Sequence, residues 1–329
     1  MLRRTFLTSG TATAAAVAVP ALGNRRSVGT SDVLRLRSRL DTLNALDDQR
    51  GGHAALESAA LGGAQESIAL QQASASGRVR LRLFSVAADY SATAAWSCID
   101  SRELDRATSH VDRALTLAGL AQDSTTQLRL WNFMSMLAYQ RRRYSESVAA
   151  GHAALATGAT RKDPLAASLA HARTAIAHAA SGDRNAALRS LRHATDALGR
   201  ADDRSRPSWM SFYGEAELHA LSAVTYQELG ESERAETASH QALSVLPHQF
   251  RRNRTSVTAR LALAQLGQGD IDQACDTATS VYHLMGDDPI PERLRSLLGD
   301  FHRGLITLAP ASTAAREWTD RVRTPGSKQ

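Results

Sequence analysis

Apolar and small residues recur at intervals of three and four along residues 215–247, and much of the chain repeats that pattern. Leu218, Leu221, Ser222, Ala223 and Tyr226 share one helical face, which Gly230 interrupts. A second stripe runs through Ala235, Ala238, Ala242, Leu243 and Leu246 until Pro247 stops it. The segment therefore predicts helix, turn, helix. Ala223, Ala235 and Ala242 leave room for two backbones to approach, with Tyr226 expected to fill the space beside them.

The small-residue pair of the second helix recurs along the chain. It reads Ala107 with Ala114, Ser147 with Ala154, Ala187 with Ala194, Ala235 with Ala242, and Ala274 with Val281. Successive first members lie 40, 40, 48 and 39 residues apart. Turn signals fall between the paired helices at Gly182 and Asp183, Gly230 and Glu231, and Gly269 and Asp270. The first two units lack the glycine and carry Ser101, Arg102, Glu103 and Arg141, Arg142, Arg143 instead. Five hairpins in one phase are thus expected over residues 77–288.

The flanks read differently. Leu36, Leu40 and Leu43 give residues 31–46 helical spacing, residues 47–52 form a turn, and residues 53–75 read as a second helix despite Gly62 and Gly63. Residues 31–76 are therefore expected to form N-terminal capping helices. A polar loop at 199–208 precedes Trp209, Met210, Phe212 and Tyr213. In the last segment, 289–329, two helices break at Ala309 and Pro310. The first carries an apolar stripe of Leu294, Leu297, Leu298, Phe301 and Leu305, suited to closing the end of a stack.

Segment 215–247 resembles a tetratricopeptide (TPR) repeat, whose aromatic, paired alanines and closing proline fall on Tyr226, Ala235, Ala242 and Pro247. It departs at His219, where the family favours Trp, at Ser222 and Ala223 in place of Leu-Gly, and at Ser239 in place of the second aromatic. The spacing also exceeds the family period of about 34. The resemblance implies an all-α, TPR-like right-handed helical-hairpin solenoid whose first helices line a concave groove. Carried over by position, the groove residues are Trp96 and Ile99 in the first hairpin and Asn132, Phe133, Met136 and Tyr139 in the second. Arg173 and Ile176 follow in the third, Val224 and Gln227 in the fourth, and Arg260 and Leu263 in the fifth. The competing reading packs Trp96, Phe133 and Met136 between helices. Such a groove suits an extended peptide or an amphipathic helix, and Arg173 and Arg260 suit an acidic group on it.

Farther along, SWMSFYGEAELHAL, FRRNRTSVTARLALAQLGQGD and LRSLLGDFHRGL are similar to the C-terminal sensor region of actinobacterial (Streptomyces-type) helix-turn-helix (XRE-like) regulators. No recognition-helix pattern occurs in residues 1–77, so the chain reads as a stand-alone partner module or one whose start lies upstream. Direct DNA binding by this chain is not expected.

Composition narrows the picture. Aromatics are only 5%, which suits closely packed helices over a sheet core. The net charge is +6, yet 37 of the 39 basic residues are arginines scattered over the helices. That distribution reads as coding bias rather than a nucleic-acid surface. Cys98 and Cys275 lie far apart without metal spacing, which suits a reducing compartment. Arg3, Arg4, Phe6 and Leu7, followed by a weakly apolar run, look like a twin-arginine export signal. Residues 1–30 stay open between such a signal and a linker. The run is too short to anchor the chain stably in a membrane.

No phosphate loop, zincin motif, nucleophile elbow or paired-cysteine motif occurs. His171, His178 and His193 are read as packing residues, not as metal ligands. Arg251, Arg252 and Arg254 are read as a solvated helix start, and a site between Asp202 and Tyr213 is the weakest, enzymatic reading. The sequence thus points to a non-enzymatic regulatory protein without cofactor or metal, binding a peptide or protein and linked to transcription. It is expected in the cytoplasm, the alternative being a binding protein exported by the twin-arginine route. A homodimer through a terminal helix stays open.

Overall fold

The structure is a computed structural model and describes residues 27–50, 54–286, 288 and 290–323. Arg3 and Arg4 lie outside these residues, as do residues 51–53, while residues 47–50, expected in a turn, continue the first helix instead. Among the described residues every regular element is helical, apart from one isolated bridge between Ser27 and Ser74. Helices α1 (Thr30–Arg50) and α2 (Ala54–Ala69) come first, with Leu36 and Leu40 of α1 buried. Hairpins follow as α3 (Gly77–Asp100) with α4 (Leu104–Ala121), and α5 (Ser124–Gln140) with α6 (Tyr144–Ala156). A five-residue helix, α7 (Gly158–Lys162), then leads into α8 (Pro164–Ala180) and α9 (Arg184–Leu198). The last two hairpins are α10 (Glu215–Glu228) with α11 (Ser232–Val245), and α12 (Arg251–Gln268) with α13 (Ile271–Met285). Helices α14 (Glu292–Leu308) and α15 (Thr313–Arg323) end the described chain. The chain is an all-α solenoid of TPR-like helical hairpins.

The small residues do what their size allows. Ala107, Ala114, Ala154, Ala187, Ala194, Ala242, Ala274 and Val281 are wholly buried, and Ser147 and Ala235 nearly so. Where serine replaces alanine, the hydroxyl is satisfied: Ser147 Oγ donates to the Ser135 carbonyl at 2.8 Å and Ser135 Oγ to the Ser147 carbonyl at 3.0 Å. Gly151 shows how close the helices come, since a Cβ there would lie 2.7 Å from Thr174 Oγ1. Tyr226 departs from expectation. It stays half-buried, with the Arg234 guanidinium 4.0 Å over its ring and donating to its hydroxyl at 2.8 Å.

All five hairpins turn in one way. In the fourth, Glu231 N–H donates to the Tyr226 carbonyl and Gly230 N–H to the Gln227 carbonyl, and the same pair of bonds recurs at 102–103, 142–143, 182–183 and 269–270. This is the Schellman arrangement, and it needs a left-handed residue after the helix. Gly182, Gly230 and Gly269 supply it at φ of 85°, 71° and 89°, while Arg102 and Arg142 are held at 59°. A side chain in that region costs about 1–2 kcal/mol, partly offset by the looser unfolded chain of glycine. Arg142→Gly is therefore expected to raise stability by roughly 0.5–1 kcal/mol, read as a higher midpoint in urea. Unchanged or lowered stability would show that the turn is unstrained.

Arginines tie the hairpins together. Arg254 donates to the Leu243 and Leu246 carbonyls at the end of α11 (3.0 and 2.8 Å), and Arg251 to the Leu284 and Met285 carbonyls at the end of α13 (2.8 and 2.9 Å). Guanidinium groups thus satisfy carbonyls that helix ends leave open. Arg251 stays exposed at the helix start, as the sequence suggests, whereas Arg254 is drawn in against the end of α11.

One buried acid stands out in this frame. Asp89 of α3 is 5% exposed, accepts from Thr126 Oγ1 at 2.8 Å and lies 3.7 Å from Arg37. Burial, reinforced by Asp123, pushes its carboxyl up to about 6. An acid raised in the fold stabilises fully below its unfolded pKa, near 3.8, and that contribution is lost as pH rises through about 6. Asp89→Asn should therefore stabilise the protein at pH 7.5, by up to about 3 kcal/mol, and leave it unchanged at pH 4. Equal effects at both pH values would contradict this account.

Candidate functional site

The turn fixes a register for the inner wall. The residue six positions before each left-handed residue is Trp96, Met136, Ile176, Val224 or Leu263, and all five line one cavity of about 870 Å³. Three positions earlier stand Phe133, Arg173, Leu221 and Arg260, which also line it. Asn132, Tyr139 and Gln227 complete the wall residues expected from sequence, so the structure brings together every groove residue named above except Ile99. Ile99 is wholly buried in the packing between α3 and its neighbours. Trp96 and Phe133 serve both functions, stacking at 5.6 Å between centroids while facing the cavity.

Asn132 is the most exceptional of these side chains. It is 4% exposed, and among the described residues neither its amide nitrogen nor its carbonyl oxygen has a partner. A buried amide normally satisfies both groups. Here they stand on the cavity wall beside Arg129, whose guanidinium lies 5.4 Å from the rings of both Phe133 and Trp209. Tyr139 donates to Glu228 Oε1 at 2.5 Å, and burial and that carboxylate push its phenol above the usual range.

Several lining residues were invisible to sequence reasoning because they arrive from elsewhere in the chain. Asp100, at the end of α3 and 2% exposed, accepts from Arg252 of α12 at 2.5 Å and lies 3.6 Å from Arg293 of α14. Arg293 also lies 5.3 Å from the Trp96 ring centroid, and Arg102 donates to Ser296 Oγ at 3.0 Å. The far end of the solenoid therefore returns to its first hairpin. A second crossing joins α1 to the Ser208–Met210 turn: Asn44 donates to Ser208 Oγ at 3.4 Å and Ser208 to Asp41 at 2.8 Å. Helix periodicity points to Arg129 from Asn132, three residues away, and to Glu217 of α10, which also lines the cavity, from Leu221 four residues on, but nothing local reveals that Asp100 meets Arg252 and Arg293.

Other clusters are structural. Glu57, Cys98 and His110 lie together, the one potential ligand group of this kind among the described residues. Arg106 already pairs with Glu57, and burial pushes the Cys98 thiol up to about 12, so a cation meets a guanidinium and an unionised thiol there. His171 faces His193 at 5.1 Å while His178 turns to His152 at 5.5 Å, so the three histidines named from sequence do not converge. In the 199–208 loop, Arg206 grips Asp163 through two bonds of 2.8 and 2.9 Å, and Asp163 caps α8. Asp202 is taken by Arg204 and Arg206, which leaves this region a brace.

No family model matches the chain, and no curated protein matches it. Among solved structures it is similar to a thermophilic TPR protein of Thermus thermophilus, 19% identical, over 63% of this chain and 98% of that one, with a TM-score of 0.39. A TPR repeats protein of Bacteroides fragilis is 16% identical, over 70% and 94% respectively, with a TM-score of 0.23. The solenoid assignment rests on the hairpins of this chain, not on those likenesses. None of the described helices is long and apolar enough to cross a membrane.

The clasp at Asp100 should be energetically coupled across the stack. Asp100→Asn and Arg252→Gln are each expected to cost roughly 2–3 kcal/mol, less than a fully buried pair because Arg252 is partly exposed. Their double-mutant coupling should exceed about 1 kcal/mol. Additive effects would mean the ends do not hold each other.

Proposed function

We propose that the chain is a non-enzymatic binding module that takes a short segment of another polypeptide into its cavity. The observation that carries this reading is Asn132: a buried amide offering one donor pair and one acceptor, unpartnered among the described residues, on an inner wall that mixes apolar and charged side chains. An extended backbone presents the matching acceptor and donor. The volume is within the range that holds ligands of a few hundred daltons, which favours a short extended segment over a long amphipathic helix. The described lining contains no histidine and no cysteine, which supports binding over catalysis. The link to transcriptional control rests on the resemblance of three segments between residues 208 and 305 to regulator sensor regions.

Selection of a random heptapeptide library on the immobilised full-length chain tests this reading. Peptides recovered on the wild type should lose at least tenfold in affinity for Asn132→Leu. The variant should melt no lower, because an unsatisfied buried amide is replaced by an apolar group. Recovered peptides that bind Asn132→Leu as well as the wild type would remove the cavity from consideration.

A further inference from the structure

Among the described residues, Arg173 and Arg260 line the cavity without a hydrogen-bonded carboxylate. Arg173 of α8 lies 3.7 Å from Glu217 of α10, beyond hydrogen-bond reach. Arg260 of α12 has, among the described residues, one hydrogen bond, to Gln227 Oε1 at 3.4 Å, and no carboxylate within ion-pair distance. Arg293 of α14 divides itself between Asp100 and the Trp96 ring. Only 15% of the Arg173 side chain and 18% of that of Glu217 is exposed. Buried charges normally hold a partner at contact distance, because desolvation is otherwise uncompensated. Here burial pulls Arg173 and Arg260 below the usual guanidinium range, and the neighbouring arginines add to it. Burial likewise raises Glu217 despite three arginines nearby. The whole lining carries eight arginines against four carboxylates, so the deficit of negative charge is general.

We infer that Glu217 stands in for an anionic group of the ligand, and that the ligand brings two or more negative charges to Arg173, Arg260 and Arg293. The inference rests on the cavity being the binding site and adds what the site selects. A neutral segment would leave the cationic surplus in place, whereas a pair of carboxylates or a phosphoryl group would give Arg260 its first charged partner at contact distance. Glu217 then acts as a resident competitor that the ligand must displace. Guanidinium groups suit such oxyanions because their planar donors reach two oxygens at once.

Calorimetric titration of the full-length chain with inorganic pyrophosphate tests the charge chemistry directly. One saturable site per chain is expected, weakened at least tenfold in Arg260→Gln and tightened at least threefold in Glu217→Gln. The opposite signs separate a role in binding from structural damage, which would weaken both. Arg260 makes so few hydrogen bonds and ion pairs among the described residues that its replacement by a neutral side chain should leave the melting temperature unchanged or higher. Absence of saturable heat, equal affinities in all three proteins, or weakening in Glu217→Gln would overturn the inference.

The heptapeptides recovered on the chain separate the sources of the anion. Enrichment in clustered Asp and Glu, with displacement by pyrophosphate, supports an acidic polypeptide segment. Asn132-dependent peptides without acidic enrichment, undisturbed by pyrophosphate, would sink the anion inference and leave the polypeptide reading standing. Pyrophosphate binding with the expected variant pattern, but no recovered peptide, would retain the anion site and sink the polypeptide reading.

Discussion

Everything in this solenoid depends on how closely helix backbones approach at a few buried small side chains. The ten positions of the recurring pair are almost completely excluded from water, and none is larger than valine. Close packing of this kind gains dispersion and burial without long side chains, which fits a chain so poor in aromatics. It also repeats one geometry five times, because the same turn hydrogen bonds set each hairpin. A repeated rotation accumulates into curvature. The inner surface is a product of that accumulation and has no core of its own.

Curvature explains why the cavity is rich in charge. Side chains that a flatter stack would hold in water are carried inward, where Asp100 collects two arginines from helices more than 150 residues away. Such a cluster is poor evidence for stability, since desolvation consumes most of the Coulombic gain. It is better understood as fixing which elements meet, and as setting the electrostatic character of the space they enclose. Arg173 and Glu217 face each other at 3.7 Å without a hydrogen bond, and Arg260 has no carboxylate within ion-pair distance among the described residues. Their retention in a desolvated place is what directs attention to a ligand.

Much of the architecture was legible because its determinants are local. Small residues seven apart are visible in a one-dimensional string and fix the phase of every hairpin, while glycine marks the left-handed turn only in the last three. From that phase Trp96, Met136, Ile176, Val224 and Leu263 fall on one wall. Ile99 was misplaced because one helical position, three residues on, separates the cavity from the inter-helix packing. Arg252 and Arg254 were misread because their partners are a carboxylate and carbonyls at the ends of other helices, and open carbonyls leave no mark in sequence. Asp100 and Arg293 were missed for a related reason. Their meeting depends on the summed curvature of four or five hairpins, to which each residue contributes too little to be read singly.

The central claim is that the curved stack returns upon itself and so encloses the space its inner wall surrounds. Distances between spin labels at Glu103→Cys and Glu292→Cys, two exposed sites flanking the clasp, test it directly because the native Cys98 and Cys275 are buried. A single short, narrow separation in solution is the result this account requires. A broad distribution reaching to long separations would mean an open superhelix, and the cavity would lose its wall.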